Sequence, residues 1–211
     1  EHLQKRIKEA SQAEGLACDL NYIEVSQITD MSEIFKESFF QGNISQWDTS
    51  NVVDMNRMFH RSKFNGNISK WDVSKVRKAW DMFSSSAFNR DISKWDVSSV
   101  KNMAAMFADS KFNNDLSDWN VSNVEYMPHL FEKSYFDKDI SKWDVSSVKN
   151  MCEMFKQSSF EGDISTWSVG KCLDFDCMFQ DSAFLGDLSK WRFNAQASVL
   201  TFFNTSYGPL F

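Results

Sequence analysis

Proline and glycine are scarce in this chain of 211 residues, with two and seven copies. That excludes collagen-like and low-complexity linker compositions, which are rich in both. No run approaches the roughly 18 apolar residues that a membrane-spanning helix needs, so no membrane insertion by this segment is expected. Lys and Arg are not in excess: the net charge is -6, which argues against a nucleic-acid footprint. Four cysteines, Cys18, Cys152, Cys172 and Cys177, form no pair of CxxC motifs, and His2, His60 and His129 supply no His-rich partner set. No zinc site, cofactor or catalytic residue is therefore expected from spacing. Ser and Asp are abundant, but no phosphate-binding or dinucleotide fingerprint accompanies them, and no Cys or Ser is placed with a His as nucleophile and base.

Aromatic residues, in contrast, are plentiful and periodic. Tryptophan recurs every 24 residues at Trp47, Trp71, Trp95, Trp119, Trp143, Trp167 and Trp191. Phenylalanine keeps two columns in the same register, one from Phe35 to Phe203 and one from Phe40 to Phe184, with Met, Ile and Ser columns between them. A fixed period of this size means that each unit buries its face only by stacking on its neighbours, so a single elongated repeat domain is expected. Residues 19–202 form the repeat solenoid, one half-coil plus seven repeats. Residues 1–18, with Leu3, Ile7, Ala10 and Leu16 at helical spacing, predict an N-terminal helical cap. The segment 203–211 reads as a C-terminal cap or a truncated eighth repeat, and Leu200, Phe202, Phe203 and Tyr207 make the last coil unusually apolar.

Within a unit, Ile68, Trp71, Val73 and Val76 lie at offsets 0, 3, 5 and 8, the spacing of a leucine-rich repeat. Trp71 and Val73 then point to one side of a short strand while Lys70, Asp72 and Ser74 point to the other. Val52, Met55, Met58, Phe59 and Ser62 lie at offsets 0, 3, 6, 7 and 10, one face of a short helix. The predicted fold is an α/β repeat: a leucine-rich-repeat-type solenoid of 24-residue coils, with short parallel strands on one face and short helices on the other. Every indole of the tryptophan column is then inside.

The unit M-F-x-x-S-x-F-N-x-D-I-S-x-W-D-V-S-x-V-x-x-M, whole at Met82 to Met103 and nearly so at Met58 to Ala79 and Leu130 to Met151, resembles the BspA-like leucine-rich-repeat surface proteins. In particular it is similar to the bacterial surface or lipoprotein repeat first catalogued as a mycoplasma domain of unknown function. The resemblance covers about residues 19 to 206. It implies a solenoid presented on the bacterial surface or secreted, with adhesion or host-protein binding, and it implies no catalytic activity and no established site residues. A cytoplasmic effector or toxin-immunity module is the alternative location and role, and a structural spacer in a larger surface protein is the alternative function.

Two sets of residues are candidates for partner binding. The first is the Lys/Asp stripe beside the tryptophans, Lys70, Asp72, Lys94, Asp96, Asp118, Asn120, Lys142 and Asp144, expected on the concave strand face. Its plainer reading is a solvated ladder of paired charges. The second is the variable helical face, where Trp80, the one tryptophan outside the column, and Tyr126 are candidate anchors. A third column, Asn43, Asn67, Asp91, Asp115, Asp139, Asp163 and Asp187, stacks like charges. Backbone N–H groups in Asx-type turns are the expected compensation, and calcium is the alternative. Cys152 and Cys177, 25 residues apart, leave a disulfide between adjacent coils open.

Overall fold

The computed structural model describes residues 2–203. Glu1 and residues 204–211, including Tyr207 and nearly all of the C-terminal cap segment, lie outside the described residues. The chain opens with helix α1, His2–Glu14, which buries Leu3, Ile7 and Ala10. Gly15 ends it at φ 91°, with its N–H on the Ser11 carbonyl at 3.1 Å, the left-handed stop that glycine adopts without steric cost.

The described residues after α1 form a stack of 24-residue coils, but it is not an α/β leucine-rich repeat. Among the described residues α1 is the one helix, and no strand forms. Parallel pairing occurs as isolated bridges between residues 24 apart, as in Asp54↔Lys78, Lys78↔Asn102 and Asn102↔Tyr126. The predicted strand at Ile68 to Val76 is two consecutive turns. Trp71 N–H donates to the Ile68 carbonyl at 3.1 Å and Val76 N–H to the Val73 carbonyl at 2.9 Å. Each turn is headed by a side chain: Ser69 N–H donates to Asn67 Oδ1 and Ser74 N–H to Asp72 Oδ1. Donors spent locally in this way are not available to a strand ladder.

The predicted helix fails for the complementary reason. Over residues 79–85 the N–H groups of Ala79, Asp81, Phe83 and Ser85 reach forward to the carbonyls of Asn102, Ala104, Met106 and Ala108 in the next coil, at 2.7–3.1 Å. A helix would direct them to residues four back in its own turn. Two left-handed residues per coil make this course possible, at positions such as Arg57 and Arg61, Asp81 and Ser85, or Ala105 and Asp109, with φ between 50° and 63°. Each costs roughly 1–2 kcal/mol in a residue with a Cβ, offset here by hydrogen bonds between coils. The strict four-residue alternation of left-handed positions keeps Met82 and Phe83 buried while the backbone runs across the stack.

Because successive coils are related by near-translation, identical residues meet face to face. Rings in the column from Phe35 to Phe179 are 5.5–5.8 Å apart and within 14° of parallel. Phe64 and Phe88 stack at 6.5 Å, and Trp47 and Trp71 at 6.3 Å. These are offset stacks, the arrangement that the ring quadrupole favours. All seven tryptophans of the column are buried to 3–5% exposure. Their indole N–H groups all find one kind of acceptor, the carbonyl of the aliphatic column 27 residues earlier, at 2.9–3.2 Å. Buried serines close the remaining gap: Ser110 Oγ donates to the Phe107 carbonyl at 2.7 Å and accepts the Phe112 N–H at 3.4 Å.

Candidate interaction surface

The Lys/Asp stripe divides once it is placed on turns rather than on a concave strand face. Asp72, Asp96, Asn120 and Asp144 each accept the N–H of the serine two residues on, at 2.9–3.2 Å. Hydrogen bonds from Ser74 and Ser146, hydroxyl first and N–H second, hold the Asp72 and Asp144 carboxyls below the usual carboxylate range. These four are turn-forming residues. Lys94 pairs with Asp118 at 3.1 Å across one coil, both side chains being more than 60% exposed, a geometry worth at most about 1 kcal/mol. Lys70 and Lys142 are exposed.

The stacked acidic column follows the same rule. Asp91, Asp115, Asp139, Asp163 and Asp187 accept the N–H of Ser93, Ser117, Ser141, Ser165 and Ser189 at 2.8–2.9 Å. Those N–H groups, and next the serine hydroxyls, depress all five carboxyls. Compensation for the stacked charge is thus provided by the backbone, as the Asx reading expects.

Trp80 and Tyr126 sit on the opposite kind of surface, the run of left-handed turns. A third set of turn-heading residues begins each run: Asp54, Asn102, Asn150 and Asp174 accept the N–H two residues on, from Asn56, Ala104, Cys152 and Asp176. Three of the described coils depart from this, and in the one headed by Ser198 the Leu200 N–H is taken by Asp176 Oδ1 of the previous coil at 2.8 Å. Where the heading residue is Lys78, the Trp80 N–H is satisfied by Asn56 Oδ1 of the previous coil at 3.1 Å. Where it is Tyr126, the residue two on is Pro128, which has no N–H to satisfy. Both large aromatics therefore stand where the local turn has been released from its usual side chain. Trp80 is half-buried beneath the Arg57 guanidinium, 4.3 Å from its ring centre. Tyr126 is 43% exposed, with the Lys149 ammonium 5.9 Å from its ring centre.

Charges on this surface are arranged along the stack. Arg57 bridges Glu33 and Asp81 at 3.3 Å each, and Glu125 lies between Lys101 and Lys149 at 4.0 and 2.6 Å. The Lys149 ammonium, first through its hydrogen bond and then through its charge, lowers the Glu125 pKa, and Lys149 is raised in return. His60 lies against Asp81 at 3.4 Å, with its buried Nδ1 making no hydrogen bond.

Farther along the same surface the fold assembles a cluster that residue spacing gave no reason to expect. His129 Nδ1 is 2.9 Å from Glu132 Oε2 and 3.7 Å from Glu153 Oε2. Donor atoms of His129, Cys152 and Glu153 all lie within 4.8 Å of one another. The hydrogen bond to Glu132 raises the His129 pKa against a smaller opposing effect of burial, and it lowers Glu132. Burial, and then the charge of Asp174, pushes the Cys152 thiol up to about 12, and burial pushes Cys172 to about 11. All four cysteines are free, Cys177 being 2.8 Å from Thr201 Oγ1. The one sequence signal for this cluster is a separation of 23 and 24 residues, which only the coil period makes meaningful.

The family described as "Mycoplasma protein of unknown function, DUF285" matches residues 3–112, 82–137 and 109–208. No curated protein matches the chain. No solved structure matches it.

Proposed function

Because the chain belongs to the DUF285 family, whose description assigns no function, we propose from its geometry that it is a non-catalytic protein-interaction module. Its contact surface is the run of left-handed turns that carries Trp80 and Tyr126. The observation that carries this reading is the freedom of the side chains there. Successive coils place Asn56, Trp80, Ala104, Pro128, Cys152 and Asp176 at one position. At the next position, N–H groups of Arg57, Asp81, Ala105, His129 and Glu153 all keep the same bond to the following coil, at 2.7–3.0 Å. Backbone hydrogen bonding holds the surface regardless of side chain, so Trp80 and Tyr126 are available to a partner, whereas Asn56 and Asp176, which accept N–H groups of the next coil, and the Asp72-type carboxylates are committed to the backbone.

Other features agree with it. Thiols held protonated by burial are poor nucleophiles, and in the charged stripe Lys70 and Lys142 are exposed while Lys94 is paired with Asp118. The likeness to BspA-like surface repeats supports a place on a bacterial surface and an adhesive or host-protein partner. A second reading, a rigid spacer in a larger surface protein, is favoured by the unbroken aromatic stack from Phe35 to Phe179.

The test compares immobilised wild-type chain with W80A, Y126A and K94E/K142E variants in capturing protein from host or neighbouring-cell extract, with circular dichroism as the folding control. Loss of one captured partner by more than about tenfold in W80A or Y126A, the size expected of an aromatic anchor, supports the turn surface. Equal capture by all folded variants would overturn it, and no capture by any favours the spacer.

A further inference from the structure

The N-terminal half of the turn surface neutralises its carboxylates with a fixed cation: Arg57 sits between Glu33 and Asp81. Two coils past Asp81 that column holds His129, then Glu153, and no arginine. What the fold offers there instead is a mixed donor set of one imidazole nitrogen, one thiol and one carboxylate, within 4.8 Å of one another and drawn from two consecutive coils. We propose that His129 Nδ1, Cys152 Sγ and the Glu153 carboxylate bind a borderline-soft divalent transition ion, of which zinc is the type.

The chemistry of the donors selects the ion. Hard cations such as calcium take six to eight oxygen ligands, which this set does not supply. Imidazole, thiolate and carboxylate together match zinc, whose bonds of about 2.0–2.3 Å place tetrahedral ligands about 3.5 Å apart. Donors within 4.8 Å of one another reach that shell by moving inward by about 1 Å. Burial is intermediate for all three residues, so an ion reaches them from solvent. The Glu132 carboxylate is hydrogen-bonded to His129 Nδ1 at 2.9 Å, and an ion at that nitrogen replaces this bond and leaves Glu132 as an added negative charge beside it. Lys156 Nζ is 2.7 Å from Glu153 Oε2, the oxygen that lies 3.7 Å from His129 Nδ1, so an ion bound at that oxygen takes the place of the ammonium. Binding replaces the thiol proton of Cys152 and any proton on His129, so affinity rises with pH. Since ligands come from adjacent coils, the ion also fastens one coil to the next.

The experiment titrates the intact chain with Co2+, followed by competition with Zn2+ and with Ca2+. Expected is one Co2+ per chain with a sulfur-to-metal charge-transfer band, displaced by Zn2+ and not by Ca2+, and a rise in thermal midpoint with Zn2+. C152S should abolish the band, and H129N and E153Q should each weaken binding by more than about tenfold, while C177S leaves it unchanged. A band that survives in C152S, or wild-type affinity in both H129N and E153Q, overturns the site. If C152S fails to fold, the two other variants decide. Absence of a band in the wild type refutes the proposal and leaves the protein-binding reading untouched, since that reading rests on Trp80 and Tyr126.

Discussion

The indole N–H of Trp95 donates to the carbonyl of Ile68, one coil earlier, at 3.1 Å, and that carbonyl also accepts the backbone N–H of Trp71 at 3.1 Å. One oxygen thus closes the turn of its own coil and holds the core side chain of the next. The polar edge of each indole is satisfied inside a stack that is otherwise apolar.

Replacing Trp95 with Phe keeps most of the buried area but removes the donor to Ile68. The Ile68 carbonyl retains Trp71 N–H, so it is not orphaned. A loss of about 1–2 kcal/mol is expected, chiefly one hydrogen bond and the smaller ring. Trp95→Ala should cost about 3–5 kcal/mol through the cavity it leaves. Urea unfolding of both variants measures the difference, and a Trp95→Phe variant as stable as the wild type would remove the hydrogen bond from the account.

Ser110 is buried to 1% exposure and serves two backbone groups, the Phe107 carbonyl and the Phe112 N–H. Ser110→Ala leaves that N–H without its partner, at a cost of about 1–3 kcal/mol. Ser110→Thr keeps the hydroxyl, adds a methyl to a full site and should also destabilise. Only the alanine variant should speed hydrogen exchange at Phe112 specifically.

Ala105 adopts φ 53° with a Cβ, while Ala104 beside it is not among the positive-φ residues. Ala105→Gly relieves the left-handed cost and should stabilise the chain by up to about 1 kcal/mol, the extra freedom of unfolded glycine taking back part of the gain. Ala104→Gly should instead destabilise by about 0.5–1 kcal/mol. Thermal midpoints that move in the same direction for both variants would contradict the assignment of strain to residue 105.

Asp91, Asp115, Asp139, Asp163 and Asp187 have folded pKa values depressed by serine N–H and then hydroxyl groups. Their contribution to stability is complete above the unfolded carboxyl pKa of about 3.9, and it disappears as pH falls through the lower folded values. Asn fills the same role at Asn43 and Asn67, whose Oδ1 atoms accept Ser45 and Ser69 N–H at 3.1 and 3.0 Å. Exchanging Asp115, Asp139 and Asp163 together for Asn should therefore change stability little at pH 7 and flatten the loss in acid. An acid limb as steep as that of the wild type, followed by circular dichroism, would show that these turns do not govern it.

Taken alone, the sequence determined the period, the inward columns and the chemistry of the turns. Trp47 to Trp191 are buried as their register implies, and Asp91 and its equivalents head Asx turns. Apolar spacing reports which side chains face inward, and that much was legible. It does not report where the backbone hydrogen bonds go. Offsets that read as one helical face at Val52 to Ser62, and as a strand at Ile68 to Val76, arise equally from four-residue turns, with left-handed residues at Arg57 and Arg61 in the first segment and none in the second. Between those courses the choice is made by contact with the next coil: Arg57 N–H meets the Trp80 carbonyl at 3.0 Å only once coils are stacked. The meeting of His129 with Cys152 and Glu153, and the release of Tyr126 beside Pro128, were likewise decided by tertiary structure, because residues 23 or 24 apart become neighbours only when the chain completes a turn of the stack.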